Sequence, residues 1–132
     1  MRPYLIAALL CVAAAPLLAA EPGSSLPART TSAGGVTVKA TPRTLSGAVW
    51  EFELVFDTHT QALNDDPARQ ASLHGDGGAG IAAKEWRGDA PGSHHRVGLL
   101  RFDAPAPKPA AIELRLRRTG ESSPRVFRWQ LR

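Results

Sequence analysis

The sequence predicts an all-β fold, namely an antiparallel immunoglobulin-like sandwich of about seven strands that follows an N-terminal signal peptide. In the segment Trp50–His59, the positions of one face are Trp50, Phe52, Leu54 and Phe56, and those of the other face are Glu51, Glu53, Val55 and Asp57. Such a period of two is typical of a strand with one buried face and one solvated face. Two shorter segments near the end of the chain, 112–117 and 127–131, alternate in the same way. Turn-forming residues separate these segments, so a sandwich is favoured and a small barrel is the alternative.

Residues 1–20 are expected to form a secretory signal peptide. The segment has one positive charge near its start, an apolar run from Leu5 to about Leu18, and small residues at its end. Cleavage after Ala20 would export the domain to the periplasm or the extracellular space. An uncleaved segment is the part of the chain that we would expect to contact a membrane. The single cysteine, Cys11, lies within this segment, so the exported domain is expected to lack disulfides and cysteine-based zinc sites.

Residues 21–34 are rich in Gly, Ser, Thr and Pro and have no hydrophobic period, which predicts a flexible tether. The β-sandwich domain is expected over residues 35–132. Within it, Asp66 followed by Pro67 predicts a single helical turn. The expected strands cover residues 35–41, 50–59, 70–73, 81–86, 96–102, 112–117 and 127–131. The aromatic residues expected in the core are Trp50, Phe52, Phe56, Phe102, Phe127 and Trp129.

Alternating strand directions bring three of the four histidines to one end of the predicted sandwich. His59 ends the second expected strand, His94 and His95 precede the fifth, and His74 falls at the opposite end. This placement depends on residues 70–73 forming a strand. Imidazole and carboxylate groups are common ligands of copper and zinc. One hypothesis is therefore a copper or zinc site formed by His59, His94, His95 and Asp57.

The alternative interpretation of these residues is structural. The side chains of Asp57 and Thr58 can cap a turn through hydrogen bonds to backbone amides. In the same interpretation, His95 packs beside Trp86 and His94 is exposed to water. This end of the domain would then be a surface made of loops, without a metal ion.

Two loop segments carry a distinctive combination of residues. Asp57–Thr60 (DTHT) follows an apolar strand, and Trp86–His95 (WRGDAPGSHH) precedes the strand that contains VGLLRF. The combination resembles a group of small exported prokaryotic β-sandwich domains that pair D-T-H-S with W-x-G-x-x-P-G-G-H-H and G-x-L-x-F. The likeness covers most of residues 35–132, and Ser93 replaces the second glycine. It implies a β-sandwich with a shared loop constellation, in which Trp86 and Arg96 are candidate binding residues, and it implies no particular reaction.

The chain is basic, with 16 Lys and Arg residues against 12 Asp and Glu residues. Arg115, Arg117 and Arg128 fall on the expected outer face of the last two strands. A solvated strand face accounts for this pattern, and attraction to an anionic envelope surface would be a further consequence of it. Nucleic-acid binding is not expected, because the sequence offers neither exposed aromatic residues beside these charges nor a cytoplasmic location.

The sequence patterns do not indicate an enzyme. The segment Gly75–Gly80 matches G-x-G-x-x-G, but it lies in an expected turn rather than between a strand and a helix. Ser93 next to His94 does not form a nucleophile elbow. The predicted function is therefore a non-enzymatic binding domain. It is either a metal-binding accessory protein or, as the alternative, a module that contacts a protein or a cell-envelope component.

Overall fold

The computed structural model describes residues 26–132, so the predicted signal peptide and the first part of the predicted tether lie outside the described residues. Among the residues it describes, no helix is long and apolar enough to cross a membrane. The helix is α1 (Pro67–Gln70), which Asp66 caps as predicted by accepting a hydrogen bond from the Ala68 amide. The strands are β1 (Arg29–Ala33), β2 (Val36–Thr44), β3 (Val49–Thr58), β4 (Ala71–Gly75), β5 (Ile81–Ala82), β6 (Glu85–Gly88), β7 (His95–Asp103), β8 (Ala111–Leu116) and β9 (Arg125–Gln130).

The strands form two antiparallel sheets, in agreement with the predicted all-β class. The five-stranded sheet has the order β1-β2-β3-β7-β6, and the four-stranded sheet has the order β5-β4-β8-β9. The alternating segment from Trp50 is β3, which lies at the centre of the five-stranded sheet between β2 and β7. Its register places Trp50 opposite Phe102 and Asp57 opposite His95. β3 therefore connects the core to the end of the molecule where His95 lies.

Residues 29–33, which the sequence places in a flexible tether, instead form strand β1. It pairs with β2 along its whole length, with Arg29 opposite Ala40 and Ala33 opposite Val36, although the sequence predicts a flexible segment up to residue 34. The side chains of this edge strand are exposed or half-buried, so it has no apolar face that would produce an alternating pattern. The hairpin turn to β2 consists of Gly34 and Gly35, which both have positive φ values, as a tight two-residue hairpin requires.

The segment predicted as one strand over residues 81–86 is instead two strands in different sheets. β5 pairs with β4 in the four-stranded sheet, whereas β6 pairs with β7 in the five-stranded sheet. The chain crosses between the sheets at Ala83 and Lys84. The predicted strand over residues 70–73 is confirmed as β4, which fixes the strand directions on which the placement of the histidines depends.

Aromatic side chains between the sheets form the centre of the core. Phe52 contacts Phe102 edge to face at a centroid distance of 5.8 Å and contacts Trp129 at 5.7 Å. Trp129 also stacks on Phe127 at 6.4 Å. Because these residues come from both sheets, burial of their apolar area holds the sheets together. The aromatic residues predicted for the core are all buried: Trp50, Phe52, Phe56, Phe102, Phe127 and Trp129.

Replacing Trp129 by Ala should lower the free energy of unfolding by about 3–5 kcal/mol, because a cavity would open between the sheets. The matched variant Trp129→Phe keeps an aromatic ring but loses the hydrogen bond from Nε1 to the Pro27 carbonyl oxygen, which is 2.7 Å long. That variant should cost about 1–3 kcal/mol. Urea unfolding followed by circular dichroism measures both values. A loss below about 1 kcal/mol for Trp129→Ala would contradict its central position in the core.

Candidate functional site

Three histidines lie at the same end of the two sheets, where the sequence places them. His59 follows β3 and His94 precedes β7, and the Thr58 amide donates a hydrogen bond of 2.9 Å to the His94 carbonyl oxygen. His95 is the first residue of β7. His74 lies near the other end, where β4 meets the start of β8. We call the end that carries His59, His94 and His95 the histidine end.

Asp57 and His95 form a cross-strand pair on the outer face of the five-stranded sheet. They are opposite each other in the β3–β7 register, and the Asp57 carboxylate accepts a hydrogen bond from Nδ1 of His95. Both side chains are more than half exposed, at 55 % for Asp57 and 60 % for His95. Water screens such a pair, so its contribution to stability is small.

The geometry does not extend this pair into the predicted metal site. Within residues 26–132, no group of three or more His, Cys, Asp or Glu residues is arranged to hold a metal ion. His59 is exposed and lines a small pocket of about 230 Å³ together with Thr37 and Asp57. The hypothesis of a copper or zinc site therefore gains no geometric support beyond the contact between Asp57 and His95.

Thr58 occupies the structural role that the alternative interpretation predicts. Its buried side chain donates to the Gly35 carbonyl oxygen at 2.8 Å and accepts from the Thr60 and Gln61 amides at 3.2 and 3.0 Å. Thr58 thus closes the turn after β3 and ties this turn to the β1–β2 hairpin. Asp57 does not take part in this cap, since its carboxylate contacts His95.

Trp86, a candidate binding residue, packs its ring inward. The ring lies edge to face against Phe56 at 6.1 Å, and its Nε1 donates to the Asp89 carbonyl oxygen at 3.2 Å. A Cβ atom on Gly98 would lie 2.5 Å from the ring, and one on Gly88 would lie 2.9 Å from it. The ring therefore fits because both neighbouring positions are glycine. Packing accounts for the W-x-G motif and for the glycine of G-x-L-x-F.

Arg96, the other candidate binding residue, is buried and has a structural position. It is 3 % exposed, and its guanidinium lies 5.5 Å from the centroid of the Trp86 ring. It donates to the carbonyl oxygens of Leu63, Asp65 and Asp89 at 3.3, 2.6 and 3.0 Å. These carbonyls belong to two loops at the histidine end, so Arg96 joins the loops from inside. Nε and Nη1 of Arg96 thus donate to backbone carbonyls.

Two further arginines, Arg118 and Arg125, are buried at the same end. Arg125 donates to both carboxylate oxygens of Glu121 at 2.8 and 2.6 Å, and to the carbonyl oxygens of Ala33 and Val36 at 2.9 Å each. It thereby joins the β8–β9 loop to the β1–β2 hairpin of the other sheet. Arg118 Nε lies 2.7 Å from Asp65 Oδ2, a charge contact without the alignment of a hydrogen bond. We call Asp65, Arg118, Glu121 and Arg125 the buried arginine network.

The phase of the strand pattern in the sequence indicates that these arginines are buried, although they are not apolar. Each one occupies an inward position in the strand pattern, an even number of residues from a core residue. Arg96 is in phase with Leu100, Arg118 with Leu116, and Arg125 with Phe127. A charged residue in the inward phase at the end of a strand predicts a buried charge that needs hydrogen-bond partners.

A groove of about 710 Å³ lies on the outer face of the four-stranded sheet, between α1 and the β8–β9 loop. Arg69 of α1 and Arg115 and Arg117 at the end of β8 line this groove, together with Ser72 and His74 of β4. The segment 118–121 forms one wall. Because Arg118 and Glu121 belong to the buried arginine network, the network sets the position of that wall. We call this cavity the arginine groove.

The charges of the arginine groove are compensated to different degrees. Arg115 donates to Glu113 at 2.8 Å, and Arg128 of β9 donates to the same carboxylate at 2.7 Å. The hydrogen bonds from Arg128 and Arg115 lower the pKa of the Glu113 carboxyl, so it stays ionised between them. Arg117 is exposed and forms no ion pair with another residue of the described part. The groove therefore has an excess of positive charge, which attracts anions.

No protein-family model, curated protein or solved structure matches this chain.

Glu121 should make the stability of the protein depend on pH on the acid side. The hydrogen bonds from Arg125 hold the pKa of the Glu121 carboxyl below its usual value. Such a group stabilises the native state above its unfolded-state pKa of about 4.3, and this contribution is lost as the pH falls through the folded-state pKa. In Glu121→Gln, the loss of stability from about pH 5 to about pH 3 should be smaller than in the wild type.

Urea unfolding at a series of pH values measures this difference. At neutral pH, Glu121→Gln should cost about 3 kcal/mol, because it leaves the buried Arg125 without its carboxylate. The control variant Glu53→Gln removes the partner of Arg43 from a partly exposed pair and should cost less than about 1 kcal/mol. If Glu121→Gln and the wild type lose the same amount of stability between about pH 5 and about pH 3, the Glu121 carboxylate is not the group that stabilises the native state in this range.

Proposed function

We propose that this protein is an exported, non-enzymatic binding domain that holds an anionic polymer of the cell envelope in the arginine groove. Export is inferred from the signal-peptide pattern of residues 1–20. Binding is inferred from the groove itself, since an excess of arginine on a concave surface favours anionic ligands. Loss of the domain's positive groove charge should therefore remove its affinity, whereas loss of charge elsewhere should not.

An immunoglobulin-like topology is part of this proposal. The order β2-β3-β7-β6 follows strands A, B, E and D of that fold, and β5-β4-β8-β9 follows strands C′, C, F and G. β1 would then be an additional edge strand. Membership of the group of exported β-sandwich domains with D-T-H-S and W-x-G motifs is also proposed. It is supported by the packing of Trp86 on two glycines and by the cap at Thr58.

The uncompensated charge of Arg117 is the observation that carries the proposal. Arg117 follows β8 on the outer face, two residues beyond Arg115, so the backbone positions of the two arginines are about 7 Å apart and both side chains line the groove. Repeating anionic groups along a polymer can contact both. Guanidinium groups bind phosphate oxygens through paired N–H donors, which gives a directed contact as well as charge attraction.

The open face of the groove favours a flexible polymer over a lipid surface. The cavity is bordered by α1 on one side and by the segment 118–121 on the other. A chain can lie along such a groove and contact both borders, whereas a flat bilayer surface would contact only the residues that project furthest. The expected contact is electrostatic, so its affinity should fall as salt screens the charges.

Arg117→Gln should reduce the affinity for poly(glycerol phosphate) about fivefold, corresponding to about 1 kcal/mol, and should reduce the slope of log affinity against log salt by about one. The matched control is Lys39→Gln, which removes the same charge from an exposed position of β2 on the other sheet. Fluorescence anisotropy with labelled polymer, from about 50 to about 200 mM salt, measures both variants.

Equal losses in the two variants would contradict the proposal, because they would indicate attraction to net charge alone. Tighter binding to phosphatidylglycerol vesicles than to the polymer would assign the groove to a lipid surface. Tighter binding to polyglutamate would assign it to an acidic protein. Either result would overturn the envelope polymer as the partner.

A further inference from the structure

Ser72 and His74 form a hydrogen-bonded pair on the floor of the arginine groove. They are two residues apart on the outer face of β4, and Ser72 Oγ lies 2.9 Å from Nε2 of His74. The other ring nitrogen of His74, Nδ1, lies 2.9 Å from the carbonyl oxygen of Gly78. Both nitrogens of this imidazole are therefore engaged, one by the groove and one by the β4–β5 turn.

The carbonyl partner fixes the tautomer of His74. A carbonyl oxygen only accepts, so Nδ1 must carry the proton and donate to Gly78. In the neutral ring, Nε2 is then an acceptor, and the hydroxyl of Ser72 must donate to it. The lone pairs of Ser72 Oγ then face the groove. In the protonated ring, Nε2 donates to Ser72 Oγ instead, and the hydroxyl hydrogen becomes free to donate to a ligand.

The glycine-rich turn holds the His74 ring in this position. A Cβ atom on Gly80 would lie 2.8 Å from both Cε1 and Nε2 of His74, so the backbone of the turn packs directly against the ring. Asp76 anchors the turn, because its carboxylate accepts from the Ala110 and Ala111 amides at 3.1 and 3.0 Å. The G-x-G-x-x-G match in the sequence therefore has a positional role: it keeps His74 in contact with Ser72.

The charged groups around the pair favour an anion. Arg115 is opposite Ser72 in the β4–β8 register, and Glu113 is opposite His74. Glu113 is shared by two arginines, so its negative charge is compensated before any ligand arrives. The titratable and charged groups that face His74 are Glu113 and Arg115 of β8, Arg128 of β9, Asp76 of the turn, and Arg117 at the far side of the groove.

We propose that Ser72, His74 and Arg115 form a subsite for one phosphodiester group of the polymer, and that protonation of His74 turns Ser72 from an acceptor into a donor towards that group. This inference rests on the proposed function, because it assigns the ligand chemistry of the same groove. An ionised phosphodiester oxygen only accepts hydrogen bonds, so it is disfavoured by the lone pairs of Ser72 and favoured by its hydroxyl hydrogen.

Binding of the anion and protonation of His74 are thus coupled. If protonation of His74 raises the affinity for the phosphodiester by a given factor, binding of the phosphodiester raises the proton affinity of His74 by the same factor. The charge of a phosphodiester does not change near neutral pH, so a change in affinity over this range reports on the protein. The other three histidines lie at the histidine end, and none of them lines the groove.

The test is the affinity of the full chain for poly(glycerol phosphate) at about pH 7.5 and about pH 5.5, at constant ionic strength. The wild type should bind about fivefold more tightly at the lower pH. His74→Gln should lose this gain, because a glutamine side chain does not take up a proton in this pH range. Ser72→Ala should keep less than half of the gain, since the charge of His74 remains but the hydroxyl donor is gone. His59→Gln, the matched control at the histidine end, should keep the full gain.

An undiminished gain in His74→Gln or in Ser72→Ala would overturn the subsite. Polymer binding that depends on Arg117 but not on pH would overturn it as well, and would leave the proposed function intact. Failure of the wild type to bind the polymer at either pH would overturn both proposals. Circular dichroism of each variant establishes that the comparison is between folded proteins.

Discussion

Arg125 links the two sheets through its hydrogen bonds to the β1–β2 hairpin, and its ion pair with Glu121 joins this link to one wall of the arginine groove. Arg125 reaches from β9 to the carbonyl oxygens of the β1–β2 hairpin, while Glu121 sits in the β8–β9 loop that borders the groove. Removing either partner would leave a buried charge without compensation. The loop, the hairpin and the groove therefore depend on the same contact, which neither the aromatic core nor the strand ladders provide.

Arginine has two different roles in this protein, and the phase of the strand decides between them. Arg96 and Arg125 occupy inward positions, are buried, and donate to backbone carbonyls. Arg115 and Arg117 occupy outward positions on β8 and just beyond it, and they face solvent in the groove. The inward arginines close the histidine end, and the outward arginines are the ones to which the proposed function assigns the ligand. A count of basic residues alone cannot separate these roles.

Much of the fold could be predicted from alternation, and the failures have a physical cause. The period of two identified β3, β8 and β9, because each has one buried and one solvated face. β1 has no buried face, so its backbone pairing leaves no trace in the sequence. The split of residues 81–86 into β5 and β6 depends on which sheet accepts each half, and a short segment does not encode that choice.

The site was less predictable than the fold. The common location of His59, His94 and His95 could be predicted from the strand directions. Strand direction does not determine whether side chains converge on one point. Among the predicted metal ligands, the side chains of Asp57 and His95 contact each other. Trp86 lies in β6 and Arg96 in β7, and both side chains pack inward, because Gly98 leaves room for the ring and two loops offer carbonyls to the guanidinium. The groove arises where α1 and the β8–β9 loop rise beside β4, which is a tertiary arrangement.

The most direct test of this account is the affinity of Glu121→Gln for poly(glycerol phosphate) at neutral pH. The substitution removes a negative charge beside the groove, so attraction between net charges alone would make binding tighter. If the contact between Glu121 and Arg125 holds the wall of the groove in place, binding should instead weaken by about twofold to fivefold in the folded variant. An unchanged or increased affinity would contradict the dependence of the groove on the buried arginine network.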